Sequence, residues 1–316
     1  MASRRQSEGE QTRFPPDLMY RAALGYYTHD HNQAEIAASL GVSRPTVSRL
    51  LAEARRHGIV EIIVHPPAMA PNAAINDELA HRLGLQRVYV TPSSGTNLGA
   101  TMATGVGEAL SDAGLNAGDV ILISSGRTLF EVAQQPLPRI PGVILAPTVG
   151  GQEEPEPWWQ TNAITRMFAE QMGGRPVYLY APALPGPAMH RSLAKEPSFQ
   201  RVHQLWSAAR AALVGVGAPV LTRATMASFV PTDQLLLRET IGDICSRFYD
   251  RSGREVAFPG SERIVATSLE DLRRIPACIA VAAGLDKVPS IAAGAAGGFF
   301  NRLVTDIDTA QALLQG

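Results

Sequence analysis

The stretch Gln33–Leu50, QAEIAASLGVSRPTVSRL, decides how the N-terminal part of this chain is read. It divides into a short helix, a turn and a second helix. Ile36, Ala37 and Leu40 share one side of the first. Gly41-Val42-Ser43 is the turn, with Gly41 where a left-handed residue is easiest and Ser43 as N-cap. Pro45 sits in the first turn of the next helix, where its missing N–H costs nothing. That helix runs to His57, points Val47, Leu50, Leu51 and Ala54 inward, and ends at Gly58. Ala37 is small where the two helices cross. The pattern is a helix-turn-helix, and the N-terminal end of its second helix is the end that enters a DNA major groove. Gln33, Arg44, Thr46, Ser48 and Arg49 are therefore the candidate DNA contacts: Arg pairs with guanine edges, and Ser and Thr reach bases or phosphates. Between Ser43 and Gly58, four arginines (44, 49, 55 and 56) stand against Glu53, a local surplus of positive charge. A helical hairpin with a solvated basic face is the plainer alternative.

Outward from this unit, Leu18, Ala22 and Gly25–Tyr26 predict a preceding helix, and Val60–Val64 a short β-like run. Residues 1–13 read as a polar tail. The whole chain has 316 residues and a formal net charge of -1, so nucleic-acid contact must come from a local patch. That length predicts two domains at roughly 100–200 residues each. Only Lys195 and Lys287 are lysines among 28 basic residues. Two cysteines, Cys245 and Cys278, exclude a disulfide framework and a four-Cys zinc site and read as buried free thiols. No signal pattern opens the chain, and its longest apolar stretch, Ile275–Leu285, is too short to span a bilayer. The expectation is a cytoplasmic protein with no membrane contact, no metal and no cofactor.

His65-Pro66-Pro67 and Pro71 mark a boundary, which predicts domains at 14–65 and 66–316. Beyond a helix at 72–84, strands are expected at 87–91, 119–124, 142–146, 176–181, 211–216, 261–266 and 278–282. Helices are expected at 98–113, 127–135, 160–172, 190–209, 232–238, 268–273 and 307–314. This alternation predicts an α/β fold with a parallel sheet.

Several motifs fall in a fixed order. Tyr26-Tyr27-Thr-His-Asp-His, Ser43-Arg-Pro-Thr-Val-Ser-Arg and Arg55-Arg-His-Gly-Ile-Val-Glu-Ile come first. Ser124-Ser-Gly-Arg-Thr, Val149-Gly-Gly, Gln160-Thr-Asn and Leu213-Val-Gly-Val-Gly come next. Gly242-Asp-Ile, Phe248-Tyr-Asp, Ala282-Ala-Gly-Leu-Asp-Lys and Leu303-Val-Thr-Asp-Ile-Asp complete the series. In this succession the chain resembles the SorC-type sugar-responsive transcription regulators of bacteria over nearly its whole length past residue 17. The resemblance implies a winged helix-turn-helix on an effector domain folded like phosphosugar isomerases. It also implies a homo-oligomer, dimer or tetramer, that binds operator DNA and a phosphorylated sugar or related metabolite.

The residues of the second domain fit that picture. Ser124, Ser125, Gly126, Arg127 and Thr128 lie at the C-terminal end of a predicted strand and open a helix, an arrangement that supplies donors to an anion. An ordinary capped βα turn has the same local pattern. The amides of Gln160 and Asn162, after the Trp158-Trp159 pair, are candidates for sugar hydroxyls, with plain helix capping as the alternative. The acidic, Pro-rich stretch Gln152–Pro157 reads as an exposed turn or lid, with the Trp pair as pocket rim. The resemblance places ligand contacts at Asp243 and at Lys287, where an ammonium meets phosphate or sugar. Leu285 departs from the family's Ala-Gly-Gly pattern and narrows the expected pocket. The leading expectation is a DNA-binding regulator controlled by a phosphorylated sugar or polyol, with no catalytic residues. The alternative is a phosphosugar isomerase-type enzyme with an appended helical domain and Asp243 as general base.

Overall fold

A computed structural model describes residues 14–29, 31–60, 73–93, 95, 97–223, 226–230 and 239–316. Of the β-like run expected at Val60–Val64 all but Val60 lies outside the described residues, as do the Pro-rich joint at 65–71 and the helix expected at 232–238. The chain divides into two compact units, Met1–Met69 and Ala70–Gly316.

The first unit holds α1 (Pro16–Tyr27), α2 (Gln33–Leu40) and α3 (Arg44–Arg56). A reciprocal capping box starts α2. The Asn32 side chain accepts from the N–H groups of Ala34 and Glu35, and Glu35 accepts from the N–H of Asn32 at 2.8 Å. Gly41, at φ +66°, ends α2, and Ser43 Oγ caps α3 by accepting from Thr46 N at 3.3 Å. Met19, Ala22, Ile36, Val47, Leu50 and Ala54 form the centre of the small core. In α1 the buried stripe is Met19, Ala22, Ala23 and Gly25, whereas Leu18 is half-buried and Tyr26 exposed. The close approach of α1 to α2 sets this rotation: a Cβ on Gly25 would stand 3.3 Å from Ile36 Cγ1.

The second unit opens with α4 (Ala73–Leu83), β1 (Arg87–Thr91), α5 (Leu98–Ser111), β2 (Val120–Ile123), α6 (Arg127–Val132), β3 (Ile144–Pro147), α7 (Thr161–Met172) and β4 (Arg175–Pro176). It continues with α8 (Pro187–Leu193), α9 (Pro197–Ser207), β5 (Ala209–Gly215), β6 (Thr240–Ile244), β7 (Arg247–Asp250) and α10 (Leu269–Arg274). It closes with β8 (Ala277–Val281), α11 (Val288–Ala296), β9 (Arg302–Asp306) and α12 (Ile307–Gln315). Seven strands make one parallel sheet in the order β1-β9-β8-β5-β2-β3-β4. Helices cover both faces, so the strands are apolar on both sides. Ile121, Ile123, Leu213 and Ile279 pack under α5, α6 and α7. Val120, Leu122, Val214 and Cys278 pack against α4, α9, α10, α11 and α12.

Four expectations change. The strand at 176–181 shrinks to the pair Arg175–Pro176. The Asn162 side chain takes both the N–H and the C=O of Leu179, so that residue is withdrawn from any ladder. Residues 261–266 are a short 3₁₀ turn followed by a single bridge from Ala266 to Val149: Gly150 N donates to the Val265 carbonyl and Thr267 N to the Thr148 carbonyl, while Val265 N turns away to the Ala183 carbonyl. The helix at 190–209 is two, broken by Pro197 at the start of α9. The antiparallel hairpin β6–β7 and the strand β9 were not expected. Cys245 and Ser246 turn the hairpin at φ +52° and +62°, positions that Asn and Gly usually fill.

That turn buries Cys245, and β8 buries Cys278; neither thiol is in a disulfide. Burial pushes the Cys245 thiol up to about 11, against smaller lowering contributions from hydrogen bonds with Thr148 and Ser124. Burial likewise raises Cys278 far above the usual thiol range. A thiol reagent at pH 8 is therefore expected to label neither cysteine in the native protein and both in denaturant. Rapid labelling of one thiol without denaturant would contradict this packing.

Candidate functional site

The first unit presents the N-terminal half of α3. Arg44, Ser48 and Arg49 are exposed, Thr46 is half-buried with its Oγ1 2.8 Å from Ser43 Oγ, and Gln33 is half-buried at the start of α2. Of the expected basic patch, Arg56 is ion-paired to Glu53 at 2.5 Å, which leaves Arg44, Arg49 and Arg55 as the exposed cations without an acidic partner among the described residues. They carry the local positive charge that phosphate requires.

In the second unit, strand order reverses direction between β2 and β5. From β2 the chain moves through β3 to β4; from β5 it moves through β8 to β9. The elements after β2 cover one face and those after β5 the other. Loops therefore part at the C-terminal ends of these two strands, the usual ligand position in such sheets. Ser124 to Thr128 leave β2 at that point, and Gly215 to Gly217 leave β5. Leu285 to Lys287 turn out of β8, the other neighbour of β5.

Gly126 holds φ +130° and ψ 151°, and Gly284 at the end of β8 holds φ +126° and ψ 136°. Only glycine accepts this backbone readily, and it turns each strand sharply into the next helical turn. Ser124 and Thr128 are buried, Ser125 is partly buried and Arg127 is exposed. The Arg127 guanidinium lies 4.7 Å from the ring centroid of Trp158, whose carbonyl accepts from Gly126 N at 2.9 Å. The Trp158 side of the rim is thus attached to the β2 loop.

Asp243 stands on β6 and pairs with Arg223, both nearly buried. Arg223 Nε also donates to the Ala218 carbonyl at 2.6 Å. Burial pushes the Lys287 ammonium below its ordinary range; Asp286 raises it, Arg223 lowers it, Asp243 raises it and Arg127 lowers it, in falling order. The same field therefore links Lys287, Arg223, Asp243 and Arg127. Among the described residues Lys287 makes no side-chain hydrogen bond or ion pair.

The two expected amides are placed differently. Gln160 Nε2 donates to the Glu154 carbonyl at 2.8 Å, and both ends of the Asn162 amide are taken by Leu179. They pin neighbouring loops and, among the described residues, make no hydrogen bond to Arg127, Asp243 or Lys287. Leu285 is 65% exposed, and Lys195 is a solvent-exposed side chain.

Family models match both units. Residues 18–66 match a Crp-like helix-turn-helix domain, and residues 69–315 match the family described as "Putative sugar-binding domain". The sorbitol operon regulator of Klebsiella pneumoniae is 31% identical over 94% of this chain and 98% of its own length. The chain belongs to the SorC family of sugar-binding transcriptional regulators. The crystal structure of that full-length SorC superposes with a TM-score of 0.70 at 32% identity, over 94% of this chain and 98% of the other. The deoxyribonucleoside regulator of Bacillus subtilis (strain 168) is 32% identical over 94% of this chain and 97% of its own length. With this membership the alternative of an isomerase-type enzyme falls away. No helix among the described residues of this SorC-family regulator is long and apolar enough to cross a membrane.

Sequence reading passed over Arg223. It is the one cation between Arg210 and Arg238, in a stretch without helical or strand period, and that isolation was the available signal. The Arg223–Asp243 pair predicts a measurable coupling. Arg223→Met and Asp243→Asn are each expected to lose roughly 3 kcal/mol in denaturant unfolding, the low end for breaking a buried pair. The double variant is expected to lose clearly less than the sum. Additive losses would show that the two side chains do not act as a pair.

Proposed function

We propose that this SorC-family regulator binds double-stranded operator DNA through residues 14–65 and senses a phosphorylated sugar or polyol through residues 66–316. The observation that carries the effector half is the Arg223–Asp243 pair, with Arg127 and Lys287 on the glycine-turned loops where β2 and β8, the two neighbours of β5, end. Three cations with Asp243 and Asp286 leave a positive excess at these strand ends, which favours an anionic group. Lys287 and Arg127 meet the phosphate, with donors from Ser124, Ser125 and Thr128, while Gly126, its N–H held by the Trp158 carbonyl, shapes the turn beside them. Asp243, an acceptor only, takes hydroxyl donors. Gln160 and Asn162 then act on the ligand through the loops they hold. Relatives named for a sorbitol operon and for deoxyribonucleosides are consistent with a hydroxylated carbon chain as the effector.

The DNA half rests on Gln33, Arg44, Thr46, Ser48 and Arg49 at the exposed end of the helix-turn-helix. The protein acts in the cytoplasm as a homo-oligomer, dimer or tetramer, so that two recognition helices reach successive half-sites. Effector and DNA are coupled by linkage: the ligand favours one arrangement of the oligomer, and that arrangement fixes the spacing of the helices.

Arg49→Ala is expected to weaken operator binding about 10-fold to 100-fold in a mobility-shift titration, with an unchanged elution volume in gel filtration. Unchanged binding would remove Arg49 from the interface. Lys287→Ala is expected to abolish the effect of hexose, hexitol and pentose phosphates on DNA binding while the protein keeps its fold. A wild-type ligand-induced thermal shift in that variant would exclude Lys287 from the pocket.

A further inference from the structure

The segment between β3 and α7 carries a buried side chain that the proposed site has not used. Gln152 opens the acidic, Pro-rich stretch, yet it is only 7% exposed. Its amide makes one hydrogen bond, from Nε2 to Ser125 Oγ at 3.2 Å, which places it against the loop that leaves β2. The other end, Oε1, is buried and has no partner. A buried acceptor without a donor destabilises a fold, so retaining one calls for a compensating use.

The surroundings hold the amide in place. Two residues on, the Glu154 carboxylate accepts from the Ser228 N–H, and the Glu154 carbonyl accepts from Gln160 Nε2. Gly151 N donates to the Ala181 carbonyl at 2.8 Å on the other side of Gln152. Trp158 closes the segment onto Gly126 and Arg127. The expected exposed turn or lid leaves Glu153, Pro155 and Pro157 exposed but is pinned through Gln152 and Glu154, and it holds two buried unpaired acceptors, Gln152 Oε1 beside Ser125 and Glu154 Oε2.

We propose that the Gln152 carbonyl oxygen is a specificity-determining acceptor that reads a hydroxyl on the effector's carbon chain. The proposal rests on the reading of the effector as a phosphorylated sugar or polyol. The division of labour arises from charge. The phosphate end goes to Lys287 and Arg127, and the hydroxylated end needs acceptors. Near a dianion, a carboxylate acceptor repels the ligand unless a cation matches it, as Arg223 matches Asp243; a neutral amide oxygen reads a hydroxyl without needing such a partner. With Nε2 committed to Ser125, the oxygen end is the unpaired one.

The test is calorimetry on the full-length protein with ribose 5-phosphate, fructose 6-phosphate, glucitol 6-phosphate and inorganic phosphate. Gln152→Met keeps the side-chain length and removes the acceptor; Gln152→Asn keeps the amide and draws it back by one carbon. Both are expected to weaken whichever sugar phosphate binds the wild type by about 10-fold, a loss typical of one ligand hydrogen bond, while inorganic phosphate stays within about twofold. The ligand-free melting temperature of Gln152→Met is expected to stay level or rise, since an unpaired buried acceptor is gone. Unchanged sugar-phosphate binding in both variants would overturn the proposal. So would a parallel loss of inorganic phosphate, or a ligand-free melting temperature that falls, because either marks a role in packing. A wild-type protein that binds inorganic phosphate and none of the three sugar phosphates would also overturn it. If the wild type binds none of the four, the effector reading fails first and this proposal with it.

Discussion

Gly217 has no room for a side chain. A Cβ there would stand 2.1 Å from Asp243 Oδ1 and 2.2 Å from Arg223 Nη2. The chain leaving β5 must pass this point as bare backbone, pressed against an ion pair, and Gly217 N donates to the Asp243 carbonyl at 3.0 Å as it does so. Much of the site depends on that approach. It brings β6, which is not part of the seven-stranded sheet, to the end of the sheet's central strand. On its other side β6 is fastened to α11: Ser290 Oγ donates to the Ile241 carbonyl at 2.5 Å, and Tyr249 Oη donates to the Ser290 carbonyl at 2.9 Å. Asp243 and Lys287 are thus positioned by one set of buried hydrogen bonds, although 44 residues separate them in the chain.

The ion pair also sorts the three cations. Arg223 has its donors committed to Asp243, to the Ala218 carbonyl and to Met226 Sδ. Its charge is largely matched by the carboxylate it holds. Arg127 rests on the Trp158 face and keeps its guanidinium edge exposed. Lys287 is half-buried and, among the described residues, makes no side-chain hydrogen bond or ion pair. The half-buried ammonium of Lys287 and the stacked guanidinium of Arg127 both stand beside backbone turned by a glycine of similar conformation.

The legible parts of this chain are those written in local chemistry. Gly41, Ser43 and the spacing of Val47, Leu50, Leu51 and Ala54 mark the helix-turn-helix because cap, turn and apolar period all lie within one short segment. Ser124 to Thr128 and Lys287 were placed at strand ends by the alternation of strand and helix alone. What escaped was set by contacts distant in sequence. Asn162 looked like a free amide at a helix start, yet its partner is the Leu179 backbone, and that same bond ended the strand expected at 176–181. The β6–β7 hairpin was hidden by its turn, where Cys245 and Ser246 hold positive φ that the residue types do not announce. Arg223 became a site residue only because a partner 20 positions away is folded onto it.

The scarcity of lysine acquires a physical reading from this geometry. With two lysines among 28 basic residues, arginine is the ordinary cation of this chain, and its surface uses it freely. A guanidinium is broad, brings five donors in a fixed plane and is badly placed where few acceptors exist. Arg223 shows what that demands: a carboxylate, a carbonyl and a thioether around one side chain. At position 287 the described protein offers no comparable acceptors, and burial already disfavours the charge. An ammonium is compact, carries three rotatable donors, and tolerates such a place better. Lysine at 287 is therefore what the surroundings accommodate, and the same reasoning explains why Lys195, exposed to solvent, carries no such meaning.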